Sequence, residues 1–190
     1  MKTRWVSGVP VAIAVVLLGT MFPAVSSGAH AQAGAKACTV VGGKKADTLV
    51  GTAGNDVICG RRGPDRIRGK GGDDIIRSGA GSDFVNAGVG ADFVVSGPGA
   101  DLVNGGSGSD EIASRRGWDR LSGDTGRDKL RSGDGKDCIN TRDGRVDRLN
   151  GGTGEDWTYS DTMRTTGVRD LRRNTEHEEA SCPERLPPNP

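Results

Sequence analysis

Residues 78–113 read SGAGSDFVN AGVGADFVV SGPGADLVN GGSGSDEIA, four consecutive copies of one nine-residue unit. The unit is G-G-x-G-x-D-x-U-x, with U a large aliphatic residue. Carried outward in the same phase it fills Gly42 to Tyr159 with thirteen copies. Position six is always aspartate: Asp47, Asp56, Asp65, Asp74, Asp83, Asp92, Asp101, Asp110, Asp119, Asp128, Asp137, Asp147 and Asp156. The first eleven stand nine apart, and one inserted residue near Val146 shifts the last two. Position four is Gly except at Lys45, and position eight is Leu, Ile or Val except at Thr158. A single GxGxD would be a turn signal and little more. Thirteen in phase describe an architecture in which each repeat packs on its neighbours.

The spacing predicts an all-β fold, a parallel β-roll or β-helix solenoid of nonapeptide repeats. Glycine at positions one, two and four allows positive φ and close backbone approach, so the first six residues suit a tight turn. The last three, with an aliphatic in the middle, suit a brief strand that buries one side chain. Two units then make a coil of eighteen residues, and coils stack about 4.8 Å apart. The predicted core is Leu49, Ile58, Ile67, Ile76, Val85, Val94, Val103, Ile112, Leu121, Leu130, Ile139 and Leu149.

Over about 118 of the 190 residues this pattern resembles the RTX, or haemolysin-type, calcium-binding nonapeptide repeat. The resemblance implies a calcium-binding protein whose Ca2+ ions lie between stacked loops, with Asp56, Asp65, Asp74, Asp83, Asp92, Asp101, Asp110, Asp119 and Asp128 as metal ligands. Elementary electrostatics agrees. Stacking puts each Asp above the one eighteen residues on, and two carboxylates about 5 Å apart repel by roughly 3 kcal/mol at an effective dielectric of 20. A cation between them removes that cost. Calcium suits the place, because it takes six to eight oxygens from carboxylates and carbonyls at flexible geometry, whereas magnesium prefers to keep its water. One aliphatic per nine residues is a thin core, so metal binding is expected to be coupled to folding.

Outside the repeats the chain divides into a signal peptide (1–31), an N-terminal cap (32–41), a C-terminal cap (160–182) and a disordered tail (183–190). Lys2 and Arg4, an apolar run from Val9 to Phe22 and Ala29-His30-Ala31 make a Sec-type secretory signal. A membrane anchor is the competing reading, but the run is short for a span and no basic stop-transfer follows. The expected mature chain is therefore secreted and has no membrane span. The RTX family is usually exported uncleaved through a C-terminal signal, so its toxin biology and dedicated exporter are not carried over.

An even count of cysteines in an oxidising compartment favours two disulfides. Cys38 with Cys59 and Cys138 with Cys182 would fasten one end of the roll each. Cys38 and Cys59 occupy different positions of the unit, so this pairing predicts that the first strand leaves register.

Over Gly42 to Tyr159 eighteen Lys and Arg face nineteen Asp and Glu, a near balance that argues against nucleic acid as partner. From Ser78 to Ser114 there is no Lys or Arg, while Arg61, Arg62, Arg66, Arg68, Lys70 and Arg77 crowd one flank and Arg115, Arg116, Arg120, Arg127, Lys129, Arg131 and Lys136 the other. On this reading the best calcium sites pair Asp74 with Asp92, Asp83 with Asp101 and Asp92 with Asp110.

Position seven points outward. On one sheet it reads Val57, Ile75, Phe93, an apolar column suited to a protein or cell-surface partner; on the other it reads Thr48, Arg66, Phe84, Leu102, Arg120, Cys138, Trp157. Adhesion through such a column is the alternative function. An ice-binding surface would need a regular outward Thr column, which Thr48 alone does not make. The chain has no GxSxG and no HExxH; His177 lies in a charged run. No catalysis is expected.

Overall fold

In the computed structural model, which describes residues 36–141, 143–160, 171–173 and 177–178, the repeats wind as a parallel solenoid. Strands alternate between two facing sheets. One takes, in order, β1 (Val40–Val41), β3 (Val57–Arg62), β5 (Ile75–Ala80), β7 (Phe93–Val95), β9 (Glu111–Ala113), β12 (Lys129–Arg131), β15 (Arg148–Asn150) and β17 (Leu171–Arg173). The other takes β2 (Thr48–Val50), β4 (Arg66–Gly71), β6 (Phe84–Val89), β8 (Leu102–Ser107), β11 (Arg120–Thr125), β14 (Cys138–Thr141), β16 (Trp157–Ser160) and β18 (His177–Glu178). A small third pair joins β10 (Arg116–Gly117) to β13 (Asp134–Gly135). Among the described residues no helix is long and apolar enough to cross a membrane.

Register follows the repeat. Position-eight residues pair in two files, Ile58–Ile76–Val94–Ile112–Leu130 and Leu49–Ile67–Val85–Val103–Leu121–Ile139, each step eighteen residues. After the inserted residue the step becomes nineteen, Leu130 with Leu149 and Ile139 with Thr158, and the files stay aligned. All twelve predicted core residues are buried and make one continuous cluster. Their period of nine lets each strand bury one aliphatic between the sheets, and stacking merges them into one apolar file.

Two local expectations change. The strands are longer than the three-residue segments predicted: β3, β4, β5, β6, β8 and β11 each run six residues, through positions one to three of the following unit. A small residue at position one (Gly60, Gly69, Ser78, Ala87, Gly105 or Gly123) lets the backbone keep pairing past the core position, and the turn contracts to positions four to six. The first strand also does not leave register. Val40 pairs with Ile58 and Val41 with Cys59, the ordinary eighteen-residue step. The chain departs only before Thr39, outside the strand, where Cys38 reaches Cys59 with a Cα separation of 5.9 Å and forms the disulfide. Cys138 is buried and disulfide-bonded as well. Its expected partner Cys182, the signal segment 1–31 and the tail 183–190 lie outside the described residues, and of the segment 160–182 only the ends of two sheets are described.

The Cys38–Cys59 bond closes a loop across a sequence separation of 21. Replacing both residues by Ser is expected to lower unfolding stability by about 3 kcal/mol, read as a lower urea midpoint at unchanged slope. An unchanged midpoint would show that the first coil is held by its strand pairing alone.

Candidate metal-binding edges

Each position-six aspartate sits where the turn meets the strand, and its two main-chain groups are committed differently. Its carbonyl accepts from the position-seven N–H one coil further on, as Asp65 O does from Phe84 N at 2.8 Å and Asp101 O from Arg120 N at 2.8 Å. Its N–H lies just before the inter-strand ladder begins and needs another acceptor. The side chain of the next coil supplies it. Asp56 N donates to Asp74 Oδ1 at 2.8 Å, Asp74 N to Asp92 Oδ1 at 2.8 Å, Asp92 N to Asp110 Oδ1 at 2.9 Å, and Asp110 N to Asp128 Oδ1 at 2.9 Å. The same relation links Asp65 to Asp83, Asp83 to Asp101, Asp101 to Asp119 and Asp119 to Asp137 on the opposite edge. The turns therefore build two carboxylate files, one along each edge of the roll, with the aliphatic file between them.

The aspartates are interior groups. Asp65, Asp74, Asp83, Asp92, Asp101, Asp110, Asp119 and Asp128 are each at most 2% exposed. While Oδ1 takes the N–H bond, the buried Oδ2 of all eight, and of Asp137, has no hydrogen-bond partner. Nine buried carboxylate oxygens without a donor are an arrangement that ordinary protein interiors avoid. Burial, the largest influence, drives the carboxyls up: Asp92, Asp101 and Asp137 to about 6, Asp110 and Asp128 to about 7, and Asp119 to about 8, with the neighbouring coil's position-six carboxylate adding to it in every case but Asp137.

The first coil is built differently. Thr52 donates its N–H to Asp56 Oδ2 at 2.6 Å and its hydroxyl at 2.9 Å, and Gly43 N donates to Asp47 Oδ2 at 2.6 Å. The Thr52 N–H, then its hydroxyl, hold the Asp56 carboxyl below the usual range. Asp56, included among the ligands on sequence grounds, thus has protein donors on the oxygen that its successors leave open. Sequence alone does not separate it from Asp65 or Asp74, because the three units share every consensus position near the Asp.

Calcium fits the remaining files. Beside each position-one glycine there is a space that a side chain would fill. A Cβ on Gly51 would lie 2.6 Å from Gly69 O and 2.7 Å from Asp56 Oδ2, and one on Gly69 would meet Asp74 Oδ2 and Ala87 O. Carboxylate and carbonyl oxygens therefore converge beside the glycine, the all-oxygen set that calcium takes. Nowhere among the described residues do three or more His, Cys, Asp or Glu side chains converge. An ion here would be held by an aspartate Oδ2 and the main-chain carbonyl beside it, with further oxygens completing its shell.

The basic flanks stand apart from this interior. Arg61, Arg62, Arg66, Arg68 and Lys70 are exposed. Arg116 pairs with Asp134 at 3.7 Å, Lys129 with Glu111 at 3.6 Å and Lys136 with Glu155 at 2.7 Å, all surface pairs worth about 0–1 kcal/mol. The outward apolar column also differs from expectation. Val57, Ile75 and Phe93 are in register, but Val57 is only 8% exposed. Thr39 bonds both of its main-chain groups, its N–H reaching Val57 O at 2.7 Å and its hydroxyl accepting from Val57 N at 3.0 Å. The most exposed position-seven apolar residues are Phe84 and Leu102 on the other sheet, each 40% exposed.

The family model of the RTX calcium-binding nonapeptide repeat matches this chain in four copies, at residues 39–67, 60–94, 87–117 and 115–146. No curated protein matches it significantly.

Proposed function

The chain belongs to the RTX calcium-binding nonapeptide-repeat family, and from that premise we propose that it is a secreted, non-catalytic roll whose folding is coupled to calcium held along its carboxylate files. The observation that carries this reading is the row of buried Asp Oδ2 atoms without donors. As carboxylates these oxygens make the metal-free roll costly, and calcium placed between coils answers many of them at once, so binding free energy becomes folding free energy. The Cys38–Cys59 disulfide supports an oxidising, extracellular setting. The ions need occupy only some of the places along the two files, and affinity in the weak extracellular range, roughly 0.1–1 mM, suits carboxylate sites of this kind.

The test is far-UV circular dichroism of the mature chain at pH 7.5 with calcium raised from zero to 10 mM. A coil-like spectrum that converts to a strand spectrum with calcium, and not with equal magnesium, is the expected result. A strand spectrum indifferent to both ions refutes the coupling.

A further inference from the structure

We propose that the two edges of the roll differ in kind: one, through Asp74, Asp110 and Asp128, takes divalent cations, while on the other a buried serine ladder occupies the corresponding space and excludes them. This rests on the calcium reading above and assigns it to particular residues.

The difference lies in position one. On the edge of Asp74, Asp110 and Asp128 that position is Gly69, Gly105 and Gly123, and a Cβ added at any of them would run into the Oδ2 of the Asp five residues on. The space is open and bordered by oxygen. Ala87, at the same position before Asp92, fills that space with its methyl group, so Asp92 stands outside the cation-taking set. On the opposite edge position one is Ser78, Ser96, Ser114 and Ser132, eighteen residues apart and each at most 6% exposed. Ser78 Oγ donates to Ser96 O at 2.7 Å, Ser114 Oγ to Ser132 O, and Ser132 Oγ to Gly151 O at 2.7 Å. These are the carbonyls that stand in the cradle geometry. In the unit before the ladder begins, a Cβ on Gly60 would meet Asp65 Oδ2 and Ser78 O together.

In the serine units the side chain fills that gap, and the hydroxyls of Ser78, Ser114 and Ser132 use the carbonyl lone pair, whereas Ser96 Oγ reaches no carbonyl. The hydroxyls of Ser96, Ser114 and Ser132 also stand beside Asp101, Asp119 and Asp137. A calcium ion needs six to eight oxygens around an empty centre, and here the centre is filled and one donor oxygen is already used. The serine edge is therefore fastened coil to coil by hydroxyls, with its carboxylates reserved for the Oδ1 bonds to the preceding coil.

Calcium bound per chain is measured by equilibrium dialysis on the full mature protein and three variants. Asp110→Asn with Asp128→Asn is expected to lower the number of bound ions at least twofold. Asp101→Asn with Asp119→Asn keeps the Oδ1 acceptors and is expected to leave the number unchanged. Ser96→Gly with Ser114→Gly opens two cradles and is expected to raise it. If the two Asp→Asn pairs lose calcium equally, or if the Ser→Gly pair binds no additional ion, the edge assignment is overturned while the calcium reading stands. A parent chain that binds no calcium overturns the calcium reading and this inference with it.

Discussion

Replacing Gly99 by alanine is expected to unfold the roll or to cost more than about 4 kcal/mol, the range reserved for named structural faults. Gly99 occupies position four, where φ is +142°, a region that residues with a Cβ rarely adopt. Its N–H donates to Arg116 O at 2.8 Å, which ties it to the coil above, and an added Cβ would collide with the carbonyl of Gly81 on the coil below. Backbone on both sides cannot move without shifting a whole coil. Two other glycines set the scale. At Gly54, also position four, a Cβ would meet only Thr52 Oγ1 at 3.9 Å, so Gly54→Ala is expected to change stability by less than about 0.5 kcal/mol. Gly144 has φ +84° but no atom of the described residues within 4 Å of its added Cβ, so Gly144→Ala should cost about 1–2 kcal/mol from the backbone alone. Thermal melts of the three variants in saturating calcium measure the order. Gly99→Ala melting within a few degrees of the parent would mean that coil spacing is softer than the contacts indicate.

The glycine ranking shows how far the bare sequence carries and where it stops. The period of nine fixes the register, because a slip of one residue would turn Ile67 out of the core and place Arg66 or Arg68 in it. It also fixes the parity that puts Phe84 over Leu102. It does not distinguish Gly54 from Gly99, since the letter is the same and the difference is what the adjacent coil places beside it. The same holds for Asp56. Its open oxygen is filled by Thr52, a residue at a position where the consensus has glycine. The inward setting of the aspartates was also hidden. The pattern suggests loops that present carboxylates around an ion, whereas Oδ1 is committed to the main chain of the preceding coil. That commitment follows from an N–H lying one residue before the ladder, which only the strand boundaries reveal. The serine ladder was visible as Ser78, Ser96, Ser114 and Ser132 at a spacing of eighteen, but its meaning needed the carbonyls that the Ser78, Ser114 and Ser132 hydroxyls reach.

The calcium-free chain is expected to lose stability as pH rises from about 4 to about 8, contrary to the behaviour of most acidic proteins. The sign follows from burial. Folding raises Asp92, Asp101 and Asp137 to about 6, Asp110 and Asp128 to about 7 and Asp119 to about 8, against about 3.9 in an unfolded chain. The folded state therefore binds more protons than the unfolded state throughout that interval, and stability falls with pH wherever this is so. The contribution is fully present below the unfolded value and is lost as each group passes its folded one. Asp56, held below the usual range by Thr52, works in the opposite direction, but it is one group against eight, since burial raises Asp65 and Asp74 as well. Protons and calcium answer the same buried oxygens, so each makes the other less necessary. In EDTA the melting transition present at pH 5 is expected to move down by on the order of 20 °C or more as pH rises and to be lost before pH 8, a destabilisation of at least roughly 5 kcal/mol. With 10 mM calcium the two midpoints should converge, because the ion replaces the proton at high pH and is displaced by it at low pH. Calorimetric scans at pH 5 and pH 8, each with EDTA and with calcium, make the comparison. A metal-free chain that melts higher at pH 8 than at pH 5 would mean that the Asp files ionise without penalty, and the buried oxygens would then need some donor other than calcium or a proton.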